Sequence, residues 1–262
     1  MFFCFCGAKI RLFSQSQYFI AIKLLERIFN EQISSLNIIL EIACFSPLGA
    51  SIALDQNCDR LELCSSYMEG GLTPSHAYLE LIRKKTNKQL FVMIRSTGGF
   101  TSHSEVDEEV MLRDVQFCKQ IGINGIVIGL LKEDKTIHAD FVKRFVDAAA
   151  PMSVTFHRAF DECPDPFAAM ELLIHCGVKR ILTSGGMKNA EDGIPLLKQL
   201  NEKAADRIII VPGGGVTILN AEKIIRETGC TEIHSSAKGE SVYAEITPDP
   251  QMIKELKRRI SE

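Results

Sequence analysis

The sequence predicts a (β/α)8 TIM barrel, residues 36–262, preceded by a short N-terminal extension, residues 1–35. Three observations lead there. From residue 36 onward, apolar strand-length runs alternate strictly with helix-length segments, the pattern of a parallel sheet. Eight such runs fit within about 225 residues, the size of a closed barrel. A coarse repeat also recurs: "QIGINGIVI", "HCGVKRILT" and "ETGCTEIHS" each run from a helix end through Gly to a strand, and "QNCDRLEL" fits with Asn57 in the glycine's place. The chain therefore reads as four βαβα units. A doubly wound open sheet is the alternative architecture. No GxGxxG follows the first strand, however, and no run reads as an edge.

The extension differs in kind from the rest. "MFFCFCGAKIRLFSQSQYFIAIKLLERIFNEQISS" has no acidic residue before Glu26. Its apolar start is too short and broken for a membrane span, and it lacks the basic region and cleavage site of a secretory signal. Tyr18, Ile22, Leu25 and Phe29 share one helical face, which predicts an amphipathic helix; capping the domain or packing loosely is the favoured reading, with contact to a partner or a targeting extension with Lys9 and Arg11 as alternatives. Cys4 and Cys6 form a CxC in this apolar tail, where two cysteines are more often incidental than a metal site.

The expected strands follow in order: "LNIILEI", "DRLEL", "QLFVMIR", "NGIVIGLL", "SVTFHR", "KRILTS", "RIIIVPG" and "TEIHSS". Ser46-Pro47, Thr73-Pro74 and Asp165-Pro166 each place a capping residue before a proline at the first helical position. Thr217 is the expected cap before "LNAEKIIRETG", and Gly122, Gly177 and Gly229 stand where helices should end.

Composition narrows the function. A net charge of −3 gives no basic footprint for nucleic acid or a membrane surface. The nine cysteines are an odd number without a CxxC, so they read as reduced thiols of a cytoplasmic protein. Cys58, Cys118, Cys176 and Cys230 read as core packing.

Barrel sites lie at the C-terminal ends of strands. There the chain offers Glu41, Glu62, Cys64, Arg95, His157, Arg158 and His234. Alternation along the strands points Glu41, Glu62, Cys64, His157 and His234 into the barrel. A single inward Glu–Arg pair or one histidine is usually structural. Two glutamates, two arginines and two histidines at one mouth are costly for stability alone, so Glu41, Glu62, Arg95, His157, Arg158 and His234 are the catalytic candidates. Ser184 and Gly185 end the sixth strand, Gly213, Gly214 and Gly215 the seventh, and Ser235 and Ser236 the eighth. Backbone N–H groups there form the expected anion site, against the plainer reading of a tight glycine turn. No Walker A, HExxH or GxSxG is present.

"LEIAC", "DRLELCSS", "EGGLTPS", "VMIR", "VTFHRAFD", "LTSG", "PGGG" and "HSSA", in this order over residues 38–239, closely resemble the CutC copper-homeostasis family. The resemblance implies a TIM barrel, a cytoplasmic location and a Cu(I)-binding role. It implies two cysteine ligands, each two residues after a strand glutamate. Cys64 matches that position. The other position is Ala43, with the thiol one residue later at Cys44, where strand parity reverses the face unless the strand has already ended. After the third strand the family reads Arg-Pro-Arg-Gly-Gly-Asp; this chain has "RSTGGF", which keeps only Arg95 and the glycine pair.

Two functions follow. One is copper handling, with Cu(I) on Cys64 and Cys44, since soft Cu(I) prefers thiolates. The other is a metal-independent enzyme acting on a small anionic or phosphorylated substrate. In it Glu41 or Glu62 is the base, His157 the acid, and Arg95 and Arg158 the anion-holding groups. The expected partners are a small-molecule or metal ligand, with no nucleic acid and no membrane span; homo-oligomerisation is left open.

Overall fold

A computed structural model describes residues 37–101, 104–239 and 247–261. The extension helix expected around Tyr18–Phe29 and the Cys4–Cys6 pair lie outside the described residues. From Ile38 the chain forms one compact unit.

That unit is a TIM barrel. Its strands are β1 (Ile39–Cys44), β2 (Arg60–Leu63), β3 (Gln89–Met93), β4 (Gly125–Ile128), β5 (Ser153–Phe156), β6 (Arg180–Thr183), β7 (Ile209–Pro212) and β8 (Glu232–Ser235). The helices that follow them in turn are α1 (Pro47–Leu54), α2 (His76–Lys85), α3 (Glu105–Gln120), α4 (Ala139–Ala149), α5 (Pro166–Cys176), α6 (Ile194–Ala204), α7 (Ala221–Thr228) and α8 (Pro250–Ser261). Parallel ladders run from β7 down to β1 and on to β8. β8 then returns beside β7 and closes the wall.

The helix signals work as local chemistry predicts, with two displacements. Ser46 accepts from Gly49 N at 3.0 Å and Asp165 accepts from Phe167 N and Ala168 N, each with proline at the first position. Gly177 and Gly229 end α5 and α7 in the left-handed region. Thr73, by contrast, does not cap α2. Ser75 does, while the Thr73 hydroxyl accepts from Arg95 N at 2.9 Å and ties the loop after β2 to β3. Thr217 opens a turn that Asn220 closes, and α7 begins one residue beyond Asn220. Both threonines found a nearer backbone partner than the first turn of a helix.

Register fixes which side chains share a face. Glu41 pairs with Arg60 and with His234, Ala43 with Glu62, and Cys44 with Leu63. Leu40, Ile42, Leu61 and Leu63 are fully buried beneath the helices. Truncating either β2 leucine to alanine costs about 2–5 kcal/mol at such a site. The opposite face of the same strands carries Glu41, Arg60 and Glu62, equally buried, and these fill the barrel interior.

Candidate functional site

A chain of charged groups climbs the barrel interior. At its base Glu232 receives Arg60 Nη2, and Arg180 Nε lies 3.2 Å from the same carboxylate. Arg60 Nε reaches up to Glu41 Oε2 at 2.5 Å. The Phe91 ring is flanked by both guanidinium groups, Arg180 at 3.9 Å and Arg60 at 4.9 Å from its centroid. Gly125 makes room for that ring, since a Cβ there would come within 2.5 Å of it. All four charged residues are buried, and their charges cancel in two opposed pairs.

Above this base stands His234. Its Nδ1 lies 2.7 Å from Glu41 Oε1, and its Nε2 faces Glu62 Oε2 at 3.7 Å. Burial alone would raise the Glu41 carboxyl; Arg60 and His234 outweigh it and hold Glu41 well below the usual carboxylate range. An ionised Glu41 is acceptor-only, so it fixes the histidine proton on Nδ1. Glu62 has the opposite fate. Burial pushes its carboxyl up to about 7, with the neighbouring Glu41 charge adding to the rise and His234 opposing it. One of its oxygens, Oε1, finds no hydrogen-bond partner among the described residues. Burial lowers His234, but Glu62 and Glu41 together raise it above the ordinary histidine value. Glu62, raised to about 7, thus faces a histidine raised above its ordinary value across 3.7 Å. A carboxyl and an imidazole so placed can exchange protons with a bound molecule.

The other predicted catalytic residues are placed differently. Arg95 is buried, and its donors go to backbone oxygens: Glu69 at 2.7 Å, Gly71 at 2.9 Å and Gly99 at 3.0 Å. It staples the loops after β2 and β3 together, and these carbonyls take up most of the donors that were expected to grip a substrate. His157 accepts from Ala159 N at 3.1 Å and lies against Gly129, on the β5 side of the mouth. Phe100 stands between the two, 5.1 Å from Arg95 and 5.2 Å from His157. It fills the position where the resemblance led one to expect an aspartate. Arg158 opens a short 3-10 turn after β5 and binds Asp161 Oδ2 at 2.8 Å and Ser184 Oγ at 2.9 Å.

The cysteines separate. Cys64 lies inside the barrel in an apolar cluster with Phe91, Met93 and Val127, beside the Glu62 carboxyl. Cys44 does not join it. β1 continues through Cys44, which pairs with Leu63 on the helix-facing side, and Tyr78 of α2 donates to its carbonyl. The strand did not end at Ala43, so parity keeps the two thiols on opposite faces. Burial pushes both thiols well above their ordinary value. Among the described residues no group of three or more His, Cys, Asp or Glu side chains converges as a metal site. The expected Cys44–Cys64 pair therefore does not fit Cu(I) inside this barrel.

The expected anion loops are partly consumed. Asp161 accepts from Thr183 Oγ1, Ser184 N and Gly186 N, and Gly185 N donates to Thr183 Oγ1. Gly213 N goes to Thr183 O, and the Ser235 hydroxyl donates to Val216 O and accepts from Ala237 N. Ser184, Gly185, Gly213 and Ser235 are thus internal fasteners. The N–H groups of Gly214, Gly215 and Ser236 have no acceptor among the described residues.

Sequence reasoning passed over Arg60, Arg180, Glu232 and Asp161. The first three were legible from alternation alone: Arg60 shares the face of Glu62, and Glu232 that of His234. Attention to strand ends hid residues at strand starts. Asp161 closes the motif "VTFHRAFD", but it lies beyond the end of β5, where strand alternation assigns no face.

Comparison with known proteins follows the same outline. The model of the CutC family matches residues 38–239. A CutC family protein of Parabacteroides distasonis is 43% identical over 209 residues, covering 79% of this chain and 86% of that protein. The copper homeostasis protein cutC homolog of Homo sapiens is 41% identical over 200 residues, covering 76% and 73%. The crystal structure of CutC from Streptococcus agalactiae superposes with a TM-score of 0.71 at 27% identity, covering 76% of this chain and 98% of that one. Phosphoribosyl anthranilate isomerase from Thermotoga maritima superposes with a TM-score of 0.57 at 13% identity, covering 85% and 98%, a likeness of fold alone.

Proposed function

The chain belongs to the CutC family, and from that premise we propose that it serves copper homeostasis, as the names of its relatives say of them, through acid–base chemistry at the barrel mouth. The observation that carries the chemistry is the triad Glu41–His234–Glu62. Glu41 orients the imidazole through Nδ1 at 2.7 Å, and Nε2 is left facing Glu62. In this reading Glu62 takes a proton from a small anionic substrate. His234 Nε2 supplies or receives the second proton. Glu41, held ionised by Arg60, fixes the tautomer and is not itself the base. A cytoplasmic setting goes with this reading and is supported by the described cysteines, which are all free thiols. Among the described residues no helix is long and apolar enough to cross a membrane.

The test is solvent exchange. The full chain is incubated in deuterated buffer with a panel of small carboxylic and phosphorylated carbonyl compounds, and proton NMR follows carbon-bound hydrogen. The parent should exchange at least one compound, and Glu62→Gln and His234→Asn should lose that exchange while remaining folded. A Glu62→Gln variant that exchanges as fast as the parent would remove Glu62 from the role.

A second reading is favoured by one contact. A Cβ on Gly71 would touch Cys64 Sγ at 3.4 Å and Met93 Cε at 3.3 Å, so the thiol and the thioether side chain border one small space. Thiolate and thioether are the soft donors that suit Cu(I). Cu(I) held there would rest on Cys64 and Met93, with Cys44 uninvolved. Cys64→Ser and Met93→Leu should each weaken it in a chelator competition.

A further inference from the structure

We infer that the mouth also carries a phosphate site built from Arg158 and the N–H groups of Gly214, Gly215 and Ser236, so that the substrate handled by Glu62 and His234 bears a phosphate group. This deepens the acid–base reading above and rests on it only for what happens at the substrate's other end.

The site is assembled by what its neighbours have already used. Arg158 has three nitrogens. Nε is fixed on Asp161 and Nη2 on Ser184 Oγ. Nη1 lies against the backbone of Gly214, where a Cβ would come within 2.9 Å of it. Gly214 and Gly215 have φ of +95° and +68°, a left-handed backbone that glycine adopts without strain and that leaves both N–H groups free of side-chain cover. The Ser235 hydroxyl, on the Val216 carbonyl at 2.8 Å, ties the end of β8, next to Ser236, to the loop after β7.

Asp161 decides where an incoming anion can go. It accepts from the Thr183 and Ser184 hydroxyls and from the Ser184 and Gly186 N–H groups. The loop after β6 is therefore already filled by a carboxylate of the protein itself. Its second effect is to hold Arg158: with Nε and Nη2 pinned, Nη1 is the nitrogen without an acceptor among the described residues, and the guanidinium lies over Gly214. An uncommitted arginine nitrogen beside unoccupied backbone donors suits a tetrahedral dianion, which can accept from several donors at once.

The site also lies close to the proposed chemistry. A Cβ on Gly213 would stand 3.3 Å from the His234 Cβ, so the anion rim begins one residue from the histidine's backbone. A small phosphorylated molecule can therefore reach both ends. Asp161 offsets the Arg158 charge, which leaves backbone dipoles to supply much of the attraction. Free inorganic phosphate should accordingly bind in the millimolar range.

The experiment titrates the full chain with inorganic phosphate, followed by calorimetry and by phosphorus NMR line width. Saturable binding by the parent is expected. Arg158→Gln, and separately Gly214→Ala, which pushes the guanidinium away, should each weaken it roughly tenfold or more. Circular dichroism checks that both remain folded. Glu62→Gln should bind phosphate like the parent while losing solvent exchange. The inference is overturned if the parent does not bind phosphate, or if Arg158→Gln and Gly214→Ala both bind it as the parent does. Phosphate binding of the expected kind without any exchange by the parent would instead overturn the acid–base reading and leave this site standing.

Discussion

Replacing Glu62 by glutamine should shift the pH dependence of stability in one direction. The Glu62 carboxyl is raised from 4.5 to about 7 in the folded barrel, first by burial. A carboxyl raised on folding costs nothing below its unfolded value, because it is protonated in both states. The cost grows as pH climbs from 4.5 and levels off above about 7. Its full size, from the difference between the two values, is about 3 kcal/mol. His234 adds in the same sense. Its folded value is raised partly by Glu62, so the stability it contributes is present at low pH and fades as pH rises through that value. Glutamine abolishes the first effect and removes the Glu62 part of the second, leaving the part that Glu41 supplies. It also brings an amide whose unmet hydrogen bonds cost about 1–3 kcal/mol, but that offset does not change with pH. Urea unfolding of parent and variant at pH 5, 6, 7 and 8 isolates the pH-dependent part. The difference in unfolding free energy should move by about 2–3 kcal/mol in favour of glutamine between pH 5 and pH 8. In a barrel of this size that corresponds to a swing of roughly 4–12 °C in relative Tm. A difference that stays flat, or moves toward the parent as pH rises, would refute the buried, proton-sharing picture of Glu62.

Other outcomes can be checked separately. Arg60→Met should destabilise by about 3–5 kcal/mol in chemical denaturation, because it leaves two buried carboxylates, Glu41 and Glu232, with only His234 and Arg180 to offset them. Adding Glu41→Gln to that variant should recover part of the loss. Gly125→Ala should cost about 1–3 kcal/mol, since its Cβ would overlap the Phe91 ring held between two guanidinium groups. For copper, Cys44→Ser should compete for Cu(I) against a chelator like the parent. Ala43→Cys should tighten binding, because Ala43 lies beside Glu62 on the interior face.

The barrel was legible in the sequence because its signals are local. Strand parity put Glu41, Glu62 and His234 inside, and Ser46-Pro47 and Asp165-Pro166 did cap helices. These follow from two-residue alternation and from one hydroxyl or carboxylate reaching the next turn. The same parity rule, applied to Cys44, warned that its thiol would face away, and the register pairing Cys44 with Leu63 has it so. Thr73 and Thr217 were misread, because a threonine caps whatever N–H lies nearest, and here that N–H belongs to Arg95 and Leu219.

Alternation, strand faces and the set of polar residues at the barrel mouth are thus written locally along the chain. Their chemistry arises only once the barrel closes. Glu41 and Glu62 have the same side chain on adjacent strands, yet one is pinned as an anion and the other is pushed up to about 7. Arg95 and Arg158 were indistinguishable as anion holders; one spends its donors on three carbonyls, and the other lies over Gly214 with Nη1 free of an acceptor among the described residues. The physical reason is that a charge in a buried site takes its character from the few groups within hydrogen-bond reach. In a closed barrel those groups come from strands far apart in the chain. Glu232 lies 172 residues from the arginine it meets, and no local pattern encodes that distance.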